Sequence, residues 1–246
     1  MISARLIDAW NGVFDHNAWR SVPALLNEMA GVKQFDHNDV LDRAIALFWR
    51  RGYEATSIQD LVDATGINRG SLYSTFGDKQ RFFLAVLDRY AEQFAKPLME
   101  QLTDPDPRRA IERMFEAIIR RTSDPKWPRG CLNTNTTLEC PNSGDEISRK
   151  IAERLGQQET AIYRVLRRAQ AEKALDPAQD ARALARFFMG VAQALNVVNK
   201  AIADPAVLYD MMKVAMSVWV RPSPRSRTRN RIARAVSKRG TARMRG

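Results

Sequence analysis

The sequence predicts an all-α protein, and three observations lead there. Apolar residues return at three- and four-residue intervals along most of the chain, alternating apolar-polar runs are scarce, and Pro, Gly and Asp cluster where the periodicity stops. With 246 residues, 45% hydrophobic and 8% aromatic, the chain can bury a core in one or two domains. It shows no internal repeat.

The elements follow in order. Ile2, Leu6, Trp10, Val13 and Phe14 mark one amphipathic face, and Trp19, Val22, Leu25, Leu26 and Met29 mark a second, so residues 1 to 34 read as an N-terminal helical extension. Val40, Leu41, Ala44, Ile45, Leu47 and Phe48 place a helix from about 38 to 51, with Gly52 as its stop. Thr56 with Gln59 fits a capping box, as does Ser57 with Asp60, so a short helix begins there with Ile58, Leu61 and Val62 inward. Gly66 is suited to the left-handed conformation that ends a helix. Ile67 plugs the turn, and Asn68 can cap a second short helix, 68 to 75, with Leu72 and Phe76 inward. Asp78 is placed to cap a long helix from 78 to 102. Further helices are expected at 106 to 122, 131 to 140, 145 to 173, 178 to 203 and 205 to 219, separated by DPDP, DPKWPRG, PNSGD and two Asp-Pro steps.

Charge is unevenly spread. Ten of the 39 Lys and Arg lie between Arg221 and Gly246, a stretch without Asp or Glu, and the other 29 face 28 acidic residues. The net +11 is therefore a property of the end of the chain, and residues 221 to 246 read as a basic, disordered tail able to hold polyanions. Two cysteines cannot form a disulfide framework, and no run approaches the roughly 20 apolar residues that span a bilayer. A reducing cytoplasm and no membrane partner are expected.

Two short helices across a tight glycine turn form a helix-turn-helix. Its outward residues are Arg69, Gly70, Ser71, Tyr73, Ser74 and Thr75: one cation, several hydroxyls and a glycine that permits close approach. Such groups suit phosphates and base edges. The segment FWRRGYEATSIQDLVDATGINRGSLYSTFGDKQRFFLAVL resembles the DNA-binding segment of the TetR family of transcriptional regulators, over roughly 55 residues from Phe35 to Tyr90. The likeness lies in the order F-x-x-x-G-Y-x-x-T-S, A-T-G-I-x-x-G-S-L-Y and F-x-x-K-x-x-F. GCLNTNTTLE, 130 to 139, is similar to a motif in one branch of that family.

The resemblance implies a three-helix DNA-binding domain at 35 to 80 and a helical ligand-binding and dimerisation domain at 81 to 220. It implies a homodimer on double-stranded operator DNA, a repressor released by an unidentified small-molecule effector. The helix beginning at Asn68 would be the reading helix, with Asn68, Arg69, Gly70, Ser71 and Ser74 toward base edges. Thr56, Ser57, Tyr73, Thr75 and Lys79 would meet phosphates, Lys79 lying beside a helix N-terminus that also favours an anion. The two final helices, with Leu184, Phe187, Phe188, Val191, Leu195, Val198 and Ile202 and then Val207, Leu208, Met211, Met212, Ala215 and Trp219, would pair with their copies. Candidate effector contacts are Phe115, Ile118, Trp127, Leu132, Ile162, Leu166 and Met189, with Asn133, Asn135 and Gln193 as polar groups.

Two other readings compete. A tail-driven, non-specific nucleic-acid binder would need no reading helix. A thiol-based sensor would use Cys131, where Arg129 and a helix start favour the thiolate. Cys140 lies nine residues on, roughly 13 Å along a helix, too far for an internal disulfide. An enzyme is disfavoured: no glycine-rich phosphate loop, G-x-S-x-G or H-E-x-x-H is present. His16 and His37 lie at no ligand spacing with a cysteine, so no metal site and no cofactor is expected.

Overall fold

A computed structural model describes residues 36 to 139 and 146 to 222, and every regular element among them is helical. The helices expected within 1 to 34, and the tail beyond Pro222, lie outside the described residues.

Helix α1, His37–Arg51, buries Val40, Ala44, Ile45, Phe48 and Trp49, the inward positions of a 3.6-residue period. It ends where Gly52 takes φ +88° and donates its N–H to Phe48 O at 2.8 Å, a conformation that favours a residue without Cβ. Helix α2, Ile58–Thr65, starts one residue later than a Thr56 cap would place it. Ser57 is the N-cap and Asp60 completes the capping box. The Thr56–Gln59 box does not form: Thr56 is buried and donates its hydroxyl to Gly52 O at 2.6 Å.

Gly66, φ +73°, ends α2 with its N–H on Val62 O, and buried Ile67 fills the turn. Helix α3, Arg69–Phe76, follows at once, with Asn68 Oδ1 accepting the Ser71 N–H at 2.7 Å. Gly77, φ +88°, then closes α3, and Asp78 caps α4, Lys79–Tyr90, by accepting the Arg81 N–H at 2.8 Å. Between them α1 to α4 enclose an aromatic core in which Phe48 meets Phe83 edge-on at 4.7 Å and Phe76 meets Phe82 at 4.6 Å.

The long helix expected from 78 to 102 changes its winding along the way. After Tyr90 the chain makes a π turn, Ala91–Ala95, then a short α5, Lys96–Glu100, and a 3₁₀ turn, Gln101–Thr103. Pro97 is the cause. It has no N–H to donate and its ring crowds the carbonyl four residues back, so the turn before it widens.

The remaining helices are α6, Pro107–Ser123; α7, Leu132–Glu139; α8, Glu146–Ala171; α9, Ala181–Ala201; and α10, Pro205–Ser217. Asp106, Asp180 and Asp204 cap three of them through carboxylates that accept first-turn N–H groups, and Pro occupies the first turn of α6 and α10. The Asp180 cap also explains why α9 begins three residues later than expected. Helices α6, α8, α9 and α10 share one core, built on Phe115, Ile162, Leu166, Phe188, Leu195, Leu208 and Trp219.

That core corrects the expectation for the last two helices. Phe188 and Leu195 of α9, and Leu208 of α10, are fully buried within the chain. Phe187, Val197 and Ile202 remain outside, and Val214 is 71% exposed. A single wide stripe thus divides into an inner and an outer face.

Candidate DNA-reading face and internal cavity

On α3, Leu72 is buried while Asn68, Arg69, Gly70, Tyr73, Ser74 and Thr75 are exposed, and Ser71 is half-buried. The Ser74 hydroxyl donates to Ser71 O at 3.1 Å. Arg69 is exposed and has no carboxylate partner among the described residues. It stands in the first turn of a helix whose partial positive charge already favours an anion.

The flanking positions divide. Ser57 is exposed beside α2. Lys79 sits 4.4 Å above the Tyr53 ring and reaches Glu54 O at 3.5 Å, so its ammonium is held over the loop before α2. Thr56 is different. Its side chain is turned inward, and what it offers is the placement of Ser57.

The expected effector contacts scatter. Phe115, Ile162 and Leu166 are core residues, and Met189 packs against that core. Leu132 is buried, Asn135 donates to Trp49 O at 3.4 Å, and Trp127 borders a shallow surface groove. Ile118 and Gln193, together with Asn133, do line a cavity of about 360 Å³. The apolar stripe of α6 and α8 points at neighbouring helices, so periodicity selects packing residues before lining residues.

Other residues build that cavity. Phe94, Leu98 and Met99 form an apolar wall, and Tyr90, Arg121, Cys131 and Arg154 supply polar groups. The π turn places Phe94 here, stacked on Tyr90 at 4.8 Å. Near Arg154, the Asp88 carboxylate lies between Lys150 Nζ at 2.6 Å and Arg154 Nη2 at 2.9 Å.

Arg121 is unusual. Its Nη1 donates to Tyr90 Oη and its Nη2 to Asn196 Oδ1, both at 2.6 Å. Its Nε is buried without a partner, and no carboxylate pairs with it among the described residues. Arg121 is half-buried, lines the cavity and lies over the Trp49 ring at 5.7 Å, a cation balanced by dipoles and a ring face and by no carboxylate among the described residues.

The hydrogen bonds around Arg121 fix where the Tyr90 proton points. Tyr90 Oη accepts from Arg121 and, at 3.4 Å, from the Leu132 N–H, so its own proton points to Cys131 Sγ at 3.3 Å. Half-buried Cys131 immediately precedes α7, where Sγ also accepts the Thr134 N–H. Burial pushes the thiol up, but the Arg121 charge and these donors outweigh it, leaving the thiol below its ordinary value. Burial raises the Tyr90 phenol, keeping it protonated as a donor.

Helix α7 carries this cluster to the DNA-reading end. Cys131 precedes its first turn. At its last residue, the Glu139 carboxylate accepts the Tyr53 N–H at 2.7 Å and occupies the space that a Cβ on Gly52 would need. Asn135, midway, holds the carbonyl of Trp49. The motif GCLNTNTTLE is therefore a strut between the cavity and the end of α1. Nothing in periodicity singled out Tyr90 or Arg121; the one available signal was that motif, whose Cys and Glu mark both ends of α7.

Among the described residues no helix is long and apolar enough to cross a membrane. The model of bacterial regulatory proteins of the tetR family matches residues 40–86, and that of the tetracyclin repressor-like C-terminal domain matches residues 107–215. The chain is 35% identical over 191 residues to the HTH-type transcriptional repressor ComR of Escherichia coli (strain K12), covering 76% of this chain and 90% of that protein. Over 188 residues it is 35% identical to the uncharacterized HTH-type transcriptional regulator YezE of Bacillus subtilis (strain 168), covering 76% of this chain and 97% of that protein. Among solved structures, a cysteine mutant of the TetR family transcriptional regulator CifR, complexed with 26-bp double-strand operator DNA, superposes with a TM-score of 0.72 at 27% identity, covering 76% of this chain and 98% of that one. A helix-turn-helix bounded by glycine turns, a second matched domain after it in the chain and relatives that share most of their length with it make this chain a DNA-binding transcriptional regulator, not an enzyme, and a member of the TetR family.

Proposed function

We propose that the protein is a homodimeric repressor that leaves its operator when a small molecule fills the cavity beside Tyr90 and Arg121. The observation that carries this reading is the α7 strut, which touches the cavity at Cys131 and the end of α1 at Tyr53. A ligand that shifts the start of α7 shifts Glu139 and Asn135 with it, and so alters the angle at which α1 to α3 are held.

At the DNA, α3 enters the major groove. Asn68, Arg69, Gly70, Ser71 and Ser74 face base edges, while Ser57, Tyr73, Thr75 and Lys79 hold phosphates. Pairing of two chains uses the outer face of α9 and α10, where Phe187, Val191, Val207, Met211 and Val214 line an open apolar groove.

Selection of bound genomic fragments, followed by a screen of small molecules for release, tests the proposal. Preference for the selected duplex over random DNA at physiological salt is expected. Equal affinity for both duplexes would instead support the tail-driven, non-specific binder.

A further inference from the structure

We propose that the cavity's effector is a small organic acid, one carboxylate on a short apolar body, bound at Arg121 and Arg154 in competition with Asp88. This rests on the reading of the cavity as the effector site and narrows it to one chemistry.

The argument begins with charge. Three cations line the cavity, Arg121, Lys150 and Arg154, against the carboxylates of Asp88 and Glu153. Glu153 is exposed, its Oε1 accepts from Gln157 Nε2 at 3.0 Å, and no cation pairs with it among the described residues. Asp88 is shared, 2.6 Å from Lys150 Nζ and 2.9 Å from Arg154 Nη2. Arg121 gives two of its N–H donors to the neutral oxygens of Tyr90 and Asn196. One carboxylate thus serves two cations, and the third cation has none. A carboxylate entering this partly enclosed space meets surplus positive charge, where charge-assisted hydrogen bonds are strong; a cationic ligand meets repulsion.

The rest of the lining sets the body of the ligand. Phe94, Leu98, Met99 and Ile118 are apolar. The Gln193 amide is already engaged, donating to Gln158 Oε1 at 3.1 Å and accepting the Thr134 hydroxyl at 2.7 Å. A ligand polar throughout would leave groups unpaired against the apolar side chains, whereas a short chain or ring ending in a single carboxylate would not.

An acid at Arg154 also explains release. From α8, Arg154 Nη1 donates to Leu87 O at 2.7 Å and to Asn133 Oδ1 at 3.3 Å, while Nη2 holds Asp88. Leu87 and Asp88 belong to α4 and Asn133 to α7. A carboxylate that draws these donors away loosens α4 and α7 together, the two helices that run from the cavity to the DNA-reading end.

The test uses the full chain at neutral pH, with hexanoate, octanoate, benzoate and phenylacetate as probes, each beside its own primary amide. Calorimetric titration gives binding to the free protein, and duplex titration gives release. The best acid should bind about tenfold or more tightly than its amide, the loss expected when a charged hydrogen-bond partner becomes neutral. It should also release the duplex at concentrations where the amide does not. Asp88→Asn, at a side chain 58% exposed, removes the competitor and should tighten acid binding severalfold while leaving the amide unchanged. Arg154→Gln, and Arg121→Met if it folds, should bring the acid down to the level of its amide. A merely structural role for Asp88 would move acid and amide alike.

Acids that bind no better than their amides, acids that bind and leave duplex affinity unchanged, or an Asp88→Asn variant that binds them more weakly overturn the proposal. Ala161→Trp or Ala95→Trp, whichever keeps the wild-type melting transition, fills the cavity and separates that failure from failure of the site. If a neutral molecule from the release screen frees the duplex from the wild type and not from the filled variant, the effector cavity stands and only the acid is wrong. If releasing molecules act equally on both, the cavity reading falls as well.

Discussion

The reading face of α3 and the Arg121 cluster are both built around an arginine, yet they are opposite in kind. Arg69 is exposed, without a carboxylate partner, on a short helix defined by its own caps and glycines. Arg121 is enclosed, bonded to Tyr90 and Asn196, and its surroundings come from α4, the π turn, α6, α7, α8 and α9. The first can change partner without disturbing the fold. The second cannot, because removing any member leaves another buried group unmatched. On the proposed function, one would serve contact with something outside and the other transmission within.

The largest effect expected from probing this contrast lies deeper than either arginine. Leu195→Glu places a charge in the shared core and should cost several kcal/mol, enough to abolish the cooperative thermal transition seen by circular dichroism. Val214→Glu, at a position 71% exposed, should leave that transition in place and shift sedimentation at micromolar concentration from dimer to monomer. If Val214→Glu sediments as the wild type does, the outer face of α9 and α10 is not the pairing surface.

Gly52→Val comes next. It forces a branched residue to φ +88° and displaces the Glu139 carboxylate from the Tyr53 N–H. A loss of about 2 to 3 kcal/mol is expected from strain alone. The surviving folded protein should respond less to any releasing molecule, because the strut has lost its far attachment. An unchanged response in duplex titration would show that the signal takes another route.

Arg69→Ala should weaken binding to the selected duplex by about 1 to 3 kcal/mol while the melting temperature hardly moves. A fall in melting temperature would place Arg69 in the fold and not on its face.

The smallest effect concerns acid. The Ser57 hydroxyl and N–H, with Arg51, hold the Asp60 carboxyl at about 2, below the roughly 3.9 of an unfolded chain. With the folded value depressed, its contribution is complete above about pH 4 and fades as pH falls through about 2. Amide exchange in α2 should therefore separate wild type from Asp60→Asn near pH 5 and converge near pH 2. A constant gap would mean the carboxylate charge is not what the cap uses.

The same contrast governs how much the sequence revealed. Gly52, Gly66, Ile67, Asn68, Gly77 and Asp78 act on neighbours within a few residues, so the breaks around α2 and α3 could be read directly from residue type. Even there the cap slid by one residue, from Thr56 to Ser57, because both hydroxyls are plausible and only packing turns Thr56 inward. The cavity obeyed no such local rule. Phe115, Ile162 and Leu166 fall on regular apolar stripes and went into the core, whereas Phe94 reaches the cavity through a π turn that Pro97 imposes. Arg121 is one of two adjacent arginines near the end of α6. Its distinction appears only when α4 and α7 bring Tyr90 and Cys131 beside it.

Because α7 touches the cavity at one end and the DNA-reading helices at the other, influence along it has no preferred direction. Equilibrium coupling between two sites is reciprocal: if occupancy of the cavity weakens DNA binding by a given factor, DNA weakens occupancy of the cavity by the same factor. Under the proposed release, the operator would itself be an antagonist of the effector. Protein seated on DNA would bind a reversible effector less readily than protein free in solution, and the effector concentration needed for release would rise with the amount of operator bound. A helix of eight residues, Leu132–Glu139, would in this way tie the sensitivity of the switch to the number of sites it controls.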